Sequence, residues 1–182
     1  MGRRPRQPAP PGKVVSRKRM WLLGATKRQA SALRFVEGFL LAQSEIPTDK
    51  VKAYRDTQYR VARDGDPFTL MVDTRSEALS RLYAATGQTC GVFITAFNPF
   101  GQAQSDEANE TTHGRLGEYL RALTPHVIEG AGADPTGAWP EEKSFLALGI
   151  NLVTARLLGS RVRQDAVVWV GEDAIPQLIL LH

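Results

Sequence analysis

Cys90–Gly101 reads CGVFITAFNPFG, and this stretch decides the fold. Its first eight residues are almost continuously apolar, rich in β-branched and aromatic side chains, and too few for a buried helix. The run therefore reads as a central strand buried on both faces. Asn98-Pro99-Phe100-Gly101 ends it in a turn. Ser105 follows as a helix N-cap, with Asp106 and Glu107 where the helix dipole favours anions. That helix runs to about Leu123, with Leu116, Leu120 and Leu123 inward, and Pro125 prevents its continuation.

Beyond it, Val127-Ile128 reads as a short strand and Gly130–Trp139 as a glycine-rich loop. Ser144–Ile150 is a strand and Leu152–Leu158 a helix ended by Gly159. Ala166–Val170 and Gln177–Leu181 are strands joined by Gly171-Glu172-Asp173. Upstream, Ala53–Ala62 reads as a strand after a short helical turn. Asp64-Gly65 is a hairpin signal, and Phe68–Val72 is the partner strand. Ser76 or Thr74 caps a helix to about Ala85, which Gly87 stops. The order ββαβαββαββ predicts an α+β or α/β class: one compact domain with a mixed sheet and about three packed helices. One-sided and two-sided helix packing both remain open.

The charge is uneven. The chain has 182 residues, 23 Lys+Arg and 19 Asp+Glu, for a net +4. Ten basic residues, Arg3 to Arg34, precede the first acid, Glu37, so the remainder holds 13 basic against 19 acidic residues. The basicity belongs to the N-terminal segment. Residues 1–19 are expected to form a disordered basic arm, and 20–46 an amphipathic helix (to about Gln43) and linker. Residues 47–182 are expected to form the body. The arm reads either as a solvated extension, or codons ahead of a start at Met20, or as a contact for nucleic acid, anionic lipid or a protein partner through residues 1–34. The helix at 20–43 also offers a dimer contact.

Several classes are excluded. No apolar run approaches the roughly 20 residues that cross a bilayer. Met20–Ala25 is too short for a secretory h-region, so the protein is expected to be cytoplasmic and soluble. One cysteine, Cys90, rules out a disulfide framework. Three scattered histidines, His113, His126 and His182, are too few for a histidine metal site. Gly130-Ala131-Gly132 and Gly137 make neither a P-loop nor a dinucleotide fingerprint, and no cofactor is expected.

Candidate chemistry gathers at the strand ends. Asn98 stands at the carboxyl end of the central strand, where α/β sheets bind ligands; it equally reads as a turn-forming Asn. Asn109 and His113 share one helix face, and Asn109 could meet a ligand at the helix N-terminus. Glu142 follows Trp139-Pro140 at a strand mouth, where burial would raise its pKa and suit it to acid/base work; the structural alternative is a hydrogen bond that fixes the loop. Ser144 shares its side of the strand, without a nucleophile elbow around it. Tyr59 and Gln164 complete the set as ligand-binding candidates, with cross-strand packing and a sheet-edge role as their structural readings. On a strand, Tyr54 and Arg60 would share one face and Arg55 and Tyr59 the other.

Ile94–Gly101 (ITAFNPFG) resembles a bacterial family, domain of unknown function 3293 (DUF3293). The resemblance continues in order through Tyr54, Thr57 and Tyr59; Asn109 with Leu116 and Leu120; Glu142-Lys143-Ser144-Phe145; and Gln164 to Trp169 (QDAVVW). It covers about Val51 to the end, roughly seven-tenths of the chain. Two positions depart from the family: Val162, where it tends to have Phe, and Asp165, where it tends to have Asn. The resemblance implies a bacterial, soluble, compact domain and no particular reaction. Together these readings favour a small polar-ligand-binding domain with acid/base chemistry at Glu142, of hydrolase or transferase type. The alternative is a non-enzymatic interaction protein working through its basic arm.

Overall fold

The computed structural model describes residues 46–137 and 139–182. The readings for residues 1–45, the basic arm and the amphipathic helix, lie outside the described residues. The elements in order are helix α1 (Thr48–Asp56), strands β1 (Gln58–Val61) and β2 (Phe68–Leu70), helix α2 (Glu77–Thr86) and strand β3 (Gly91–Ile94). A short 3-10 turn (Pro99–Gly101) leads to helix α3 (Asp106–Leu123), strands β4 (Val127–Ala133) and β5 (Glu142–Leu148), helix α4 (Leu152–Arg161), and strands β6 (Ala166–Val170) and β7 (Pro176–Leu180).

Ser76 and Ser105 cap their helices as read from the sequence, and Asn151, not singled out there, caps a third. Ser76 accepts from the Leu79 N–H, Ser105 from Ala108 and Asn151 from Thr154, each satisfying a donor in a helix's first turn. Gly87 closes α2 in the left-handed region, with φ 69°.

The seven strands form one sheet, β2-β1-β4-β5-β3-β6-β7. The α+β class stands. Within it every pairing is antiparallel, where the sequence reading had a mixed sheet. The reason lies in the connections. The helical crossovers β3–α3–β4 and β5–α4–β6 do join strands that run the same way. Each pair is separated by an intervening strand, β5 in the first case and β3 in the second, so no parallel neighbours meet.

β3 sits between β5 and β6 with all four residues buried, which accounts for its unbroken apolar run. Helices cover both faces. On one face α2 inserts Leu79, Leu82 and Tyr83 against Phe93, Leu146, Val168 and Val170. On the other, Leu116 and Leu120 of α3 and Leu158 of α4 pack on Val92, Ile94, Phe145 and Val167. Each fully buried leucine or phenylalanine contributes about 1.5–3 kcal/mol of apolar transfer.

Four local readings need correction. Residues 48–56 are helix, so the strand begins at Gln58, and the face-sharing inferred for Tyr54 and Arg55 on a strand falls away. β4 runs on through the glycines to Ala133. Gly130 is required there: a Cβ would stand 2.6 Å from the Arg60 carbonyl oxygen and 2.9 Å from the Phe93 ring. α4 passes through Gly159, where a Cβ would meet Leu181 and Val167 at 2.6 Å, so this glycine admits close packing and stops nothing. Leu123, read as facing inward, is 47% exposed in the last turn of α3.

Candidate functional site

Strand alternation places Tyr59, Phe93, Ser144, Glu142 and Val168 on the face that α2 covers. α2 covers only part of it. Towards the carboxyl end of β3 and the amino ends of β1, β5 and β6, α1 and the loops after β3 and β4 form a roof instead. Beneath them lies a cavity of about 380 Å³, a volume suited to a small organic molecule.

α1 contributes Lys50, Ala53 and Tyr54, with Thr57 at its C-cap. Spacings of three and four put them on one helix face. No residue of α1 is fully buried, so polar contacts hold it down. Lys50 forms an ion pair with Asp165 and donates to the Phe100 carbonyl at 3.0 Å. Tyr54 Oη donates to Asp165 at 2.9 Å, and Tyr59 Oη donates to the Tyr54 carbonyl at 2.6 Å. His182 Nε2 lies 3.0 Å from the other Asp165 oxygen. Burial alone would raise the Asp165 pKa. The hydrogen bonds from Lys50, His182 and Tyr54, with the Lys50 charge, outweigh it and hold the carboxyl below its ordinary value. Burial and the Asp165 carboxylate push the Tyr54 phenol well above its ordinary value.

The loop after β3 forms the second wall. Asn98 takes a left-handed conformation (φ 47°, ψ 62°), which its side chain stabilises. Asn98 and Asn109 are paired twice: the Asn98 N–H donates to Asn109 Oδ1 at 3.0 Å, and Asn109 Nδ2 donates to Asn98 Oδ1 at 3.1 Å. The same Asn98 oxygen accepts from the Gln104 N–H at 3.0 Å, which closes the loop. Gly101, at φ 65°, lies against Lys50; a Cβ there would meet Nζ at 2.5 Å.

Glu142 stands at the amino end of β5, half-buried, facing the cavity. Asn98 Nδ2 donates to its Oε1 at 2.6 Å. No hydrogen bond from the described residues reaches its second oxygen. Burial raises the Glu142 pKa, against the opposing pull of the Asn98 hydrogen bond and the Lys50 charge. Trp139 and Pro140 flank it at the rim.

Of the six residues singled out from the sequence, Tyr59, Asn98, Glu142, Ser144 and Gln164 line this one cavity. Asn109 does not line it, and reaches it only by holding Asn98. Gln164 Nε2 donates to the Phe97 carbonyl at 2.9 Å, and Ser144 Oγ donates to the Glu142 carbonyl at 3.1 Å. His113 is directed elsewhere. It stacks on Phe145, on the opposite face of β5, with centroids 4.2 Å apart, and its Nδ1 is buried without a partner. Ser144 and His113 therefore form no nucleophile–base pair. Among the described residues, no three His, Cys, Asp or Glu side chains converge on a metal position.

Sequence reasoning missed Lys50, Tyr54, Trp139 and Asp165 as parts of this site. The signal for the first two was the Lys50–Ala53–Tyr54–Thr57 spacing, legible as a helix face.

The fold and site define an antiparallel α+β domain with a ligand-sized cavity at one end of its sheet, centred on a single carboxylate. Residues 94–167, from the end of β3 to the start of β6, match a family described as Protein of unknown function (DUF3293). The chain thus carries that family's pattern over the stretch that supplies Asn98, Asn109, Glu142, Ser144 and Gln164. The match assigns no activity. No curated protein and no solved structure matches the chain.

Proposed function

We propose that this protein binds a small, partly apolar molecule in the end-of-sheet cavity, with Glu142 as the group that recognises it. The observation that carries the reading is the state of that carboxylate. It faces a cavity of about 380 Å³, one oxygen is held by Asn98, and the other has no donor among the described residues. A carboxylate so placed accepts a hydrogen bond from a ligand hydroxyl, amide or amine. Phe93, Val168 and Leu178 supply apolar contact for the rest of the molecule.

The raised pKa also suits Glu142 to give or take a proton, which is the acid/base role in hydrolase or transferase chemistry. Asn98 and Asn109 act here as positioning residues: Asn98 fixes Glu142, and Asn109 fixes Asn98. Tyr59, Ser144 and Gln164 line the site with their Oη, Oγ and Nε2 donors already engaged, so they offer a ligand shape and acceptor oxygens. The family resemblance supports a bacterial setting. No helix among the described residues is long and apolar enough to cross a membrane.

The test is a thermal-shift screen of the full chain against amines, amino acids, sugar phosphates and nucleotides, repeated with Glu142→Gln and Asn109→Ala. A ligand raises the melting temperature only by binding the folded state better than the unfolded one. The reading expects a hit that Glu142→Gln abolishes and Asn109→Ala weakens. A hit indifferent to both would place binding elsewhere.

A further inference from the structure

On the sheet face opposite the cavity, α3 and α4 leave a groove of about 460 Å³ between them. Its floor is apolar, with Ala96, Leu116 and Leu158 buried in it, and Tyr119 stands exposed along it. Three arginines line it: Arg115 and Arg161 from the helices, and Arg163 just after α4. None of their guanidinium groups meets a carboxylate or a hydrogen-bond acceptor among the described residues. Arg161 lies over the Tyr119 ring, 5.1 Å from its centroid.

Of the seven other arginines among the described residues, Arg81 and Arg156 also stand without a carboxylate, and five are paired. Arg55, Arg60, Arg63, Arg75 and Arg121 each meet an Asp or Glu side chain. Acidic groups outnumber basic ones from Glu37 onward, so partners for arginine are plentiful. Three unpaired like charges on one groove repel one another, and a bound anion removes that repulsion. The planar guanidinium fork matches phosphate oxygens in pairs, while the Tyr119 face and the leucine floor suit a flat or aliphatic group.

We propose that the α3–α4 groove is a second binding site, for a small organic phosphate. Its phosphate would lie among Arg115, Arg161 and Arg163, and its carbon part on Tyr119, Leu116 and Leu158. The volume favours a single molecule over a polymer.

The test is isothermal titration of the full chain with phenyl phosphate, inorganic phosphate and a DNA single strand of about ten nucleotides. The proteins are the wild type, the double variant Arg115→Gln/Arg161→Gln, its Arg→Lys counterpart, and Arg81→Gln as an exposed, unpaired control outside the groove. All these side chains are exposed, so the fold survives substitution, and an unchanged melting temperature checks it. Phenyl phosphate should bind about tenfold more tightly than inorganic phosphate, because only the ester uses the apolar floor. The Gln double variant should lose at least about tenfold and the Lys variant an intermediate amount, with Arg81→Gln unchanged. Three results would overturn the proposal: no phenyl phosphate binding up to about 10 mM, binding that the double variant leaves intact, or arginine-dependent binding of the oligonucleotide alone.

Discussion

Asp165 fastens α1 over the cavity, and removing it should loosen the roof. In the folded state this buried carboxylate receives Lys50, the Tyr54 hydroxyl and His182. Asp165→Ala deletes all three acceptances. The Lys50 and His182 side chains are 32% and 37% exposed, so water recovers part of each and their loss costs about 0.5–1 kcal/mol apiece. The half-buried Tyr54 hydroxyl loses its acceptor, at about 1–2 kcal/mol. The total is about 3 kcal/mol, which for a body of this size lowers Tm by roughly 6–10 °C. Asp165→Asn keeps an acceptor for Lys50 and Tyr54 and should cost about half as much.

The pH dependence follows from the direction of the shift. The folded pKa of Asp165 is depressed, so its stabilisation is present above the unfolded value of about 3.9 and is lost as pH falls through the folded pKa. Urea melts of wild type and variant should therefore differ by the full amount at pH 6–7 and converge below about pH 4. Hydrogen exchange should report the same event locally, with amides of residues 48–56 exchanging faster and those of β3 much less affected. A destabilisation under about 0.5 kcal/mol, or a difference that persists undiminished at pH 3, would refute this account of how α1 is held.

The folded pKa of Glu142 is shifted the other way. Burial raises it, so the folded state binds that proton more tightly than the unfolded chain, and ionisation costs stability as pH rises from about 4.3 through the folded value. Glu142→Gln should then stabilise the apo protein at pH 7 by up to about 1 kcal/mol, with the gain gone below about pH 4; calorimetric melts at both pH values check it. Asn109→Ala strands the Asn98 N–H and loosens the loop to Gln104, costing about 1–2 kcal/mol in denaturant melts. Gly130→Val forces a side chain against the Arg60 backbone and the Phe93 ring, and should cost at least about 2–3 kcal/mol or prevent folding, read by circular dichroism.

Much of this fold is legible because its signals are local. Ser76 and Ser105 announce helix starts through a single hydrogen bond each, and CGVFITAF announces a strand through unbroken apolarity. Pairing is not local. β5 pairs with its neighbour β4 but also with β3, some fifty residues upstream across α3 and β4, so the antiparallel order could not be read from any one segment. The glycines of β4 misled for the same reason: they look like loop until the Arg60 carbonyl and Phe93 are brought against Gly130. α1 reads from the sequence only as a short helical turn because its residues are polar and none is fully buried, so the Lys50–Ala53–Tyr54–Thr57 spacing is the one mark of its face. Asn98 and Glu142 were legible as strand-end polar residues. Their contact, and the role of Asp165 under α1, depend on the closed sheet.

The most direct measurement is amide chemical-shift mapping of the full chain titrated with the best hit of the ligand screen, in wild type and Glu142→Gln. The account predicts that shifts concentrate at Lys50, Tyr59, Asn98, Glu142 and Ser144 around the cavity and vanish in the variant. Shifts that map away from these residues, or that persist unchanged in Glu142→Gln, would contradict the claim that this carboxylate is the centre of a binding site.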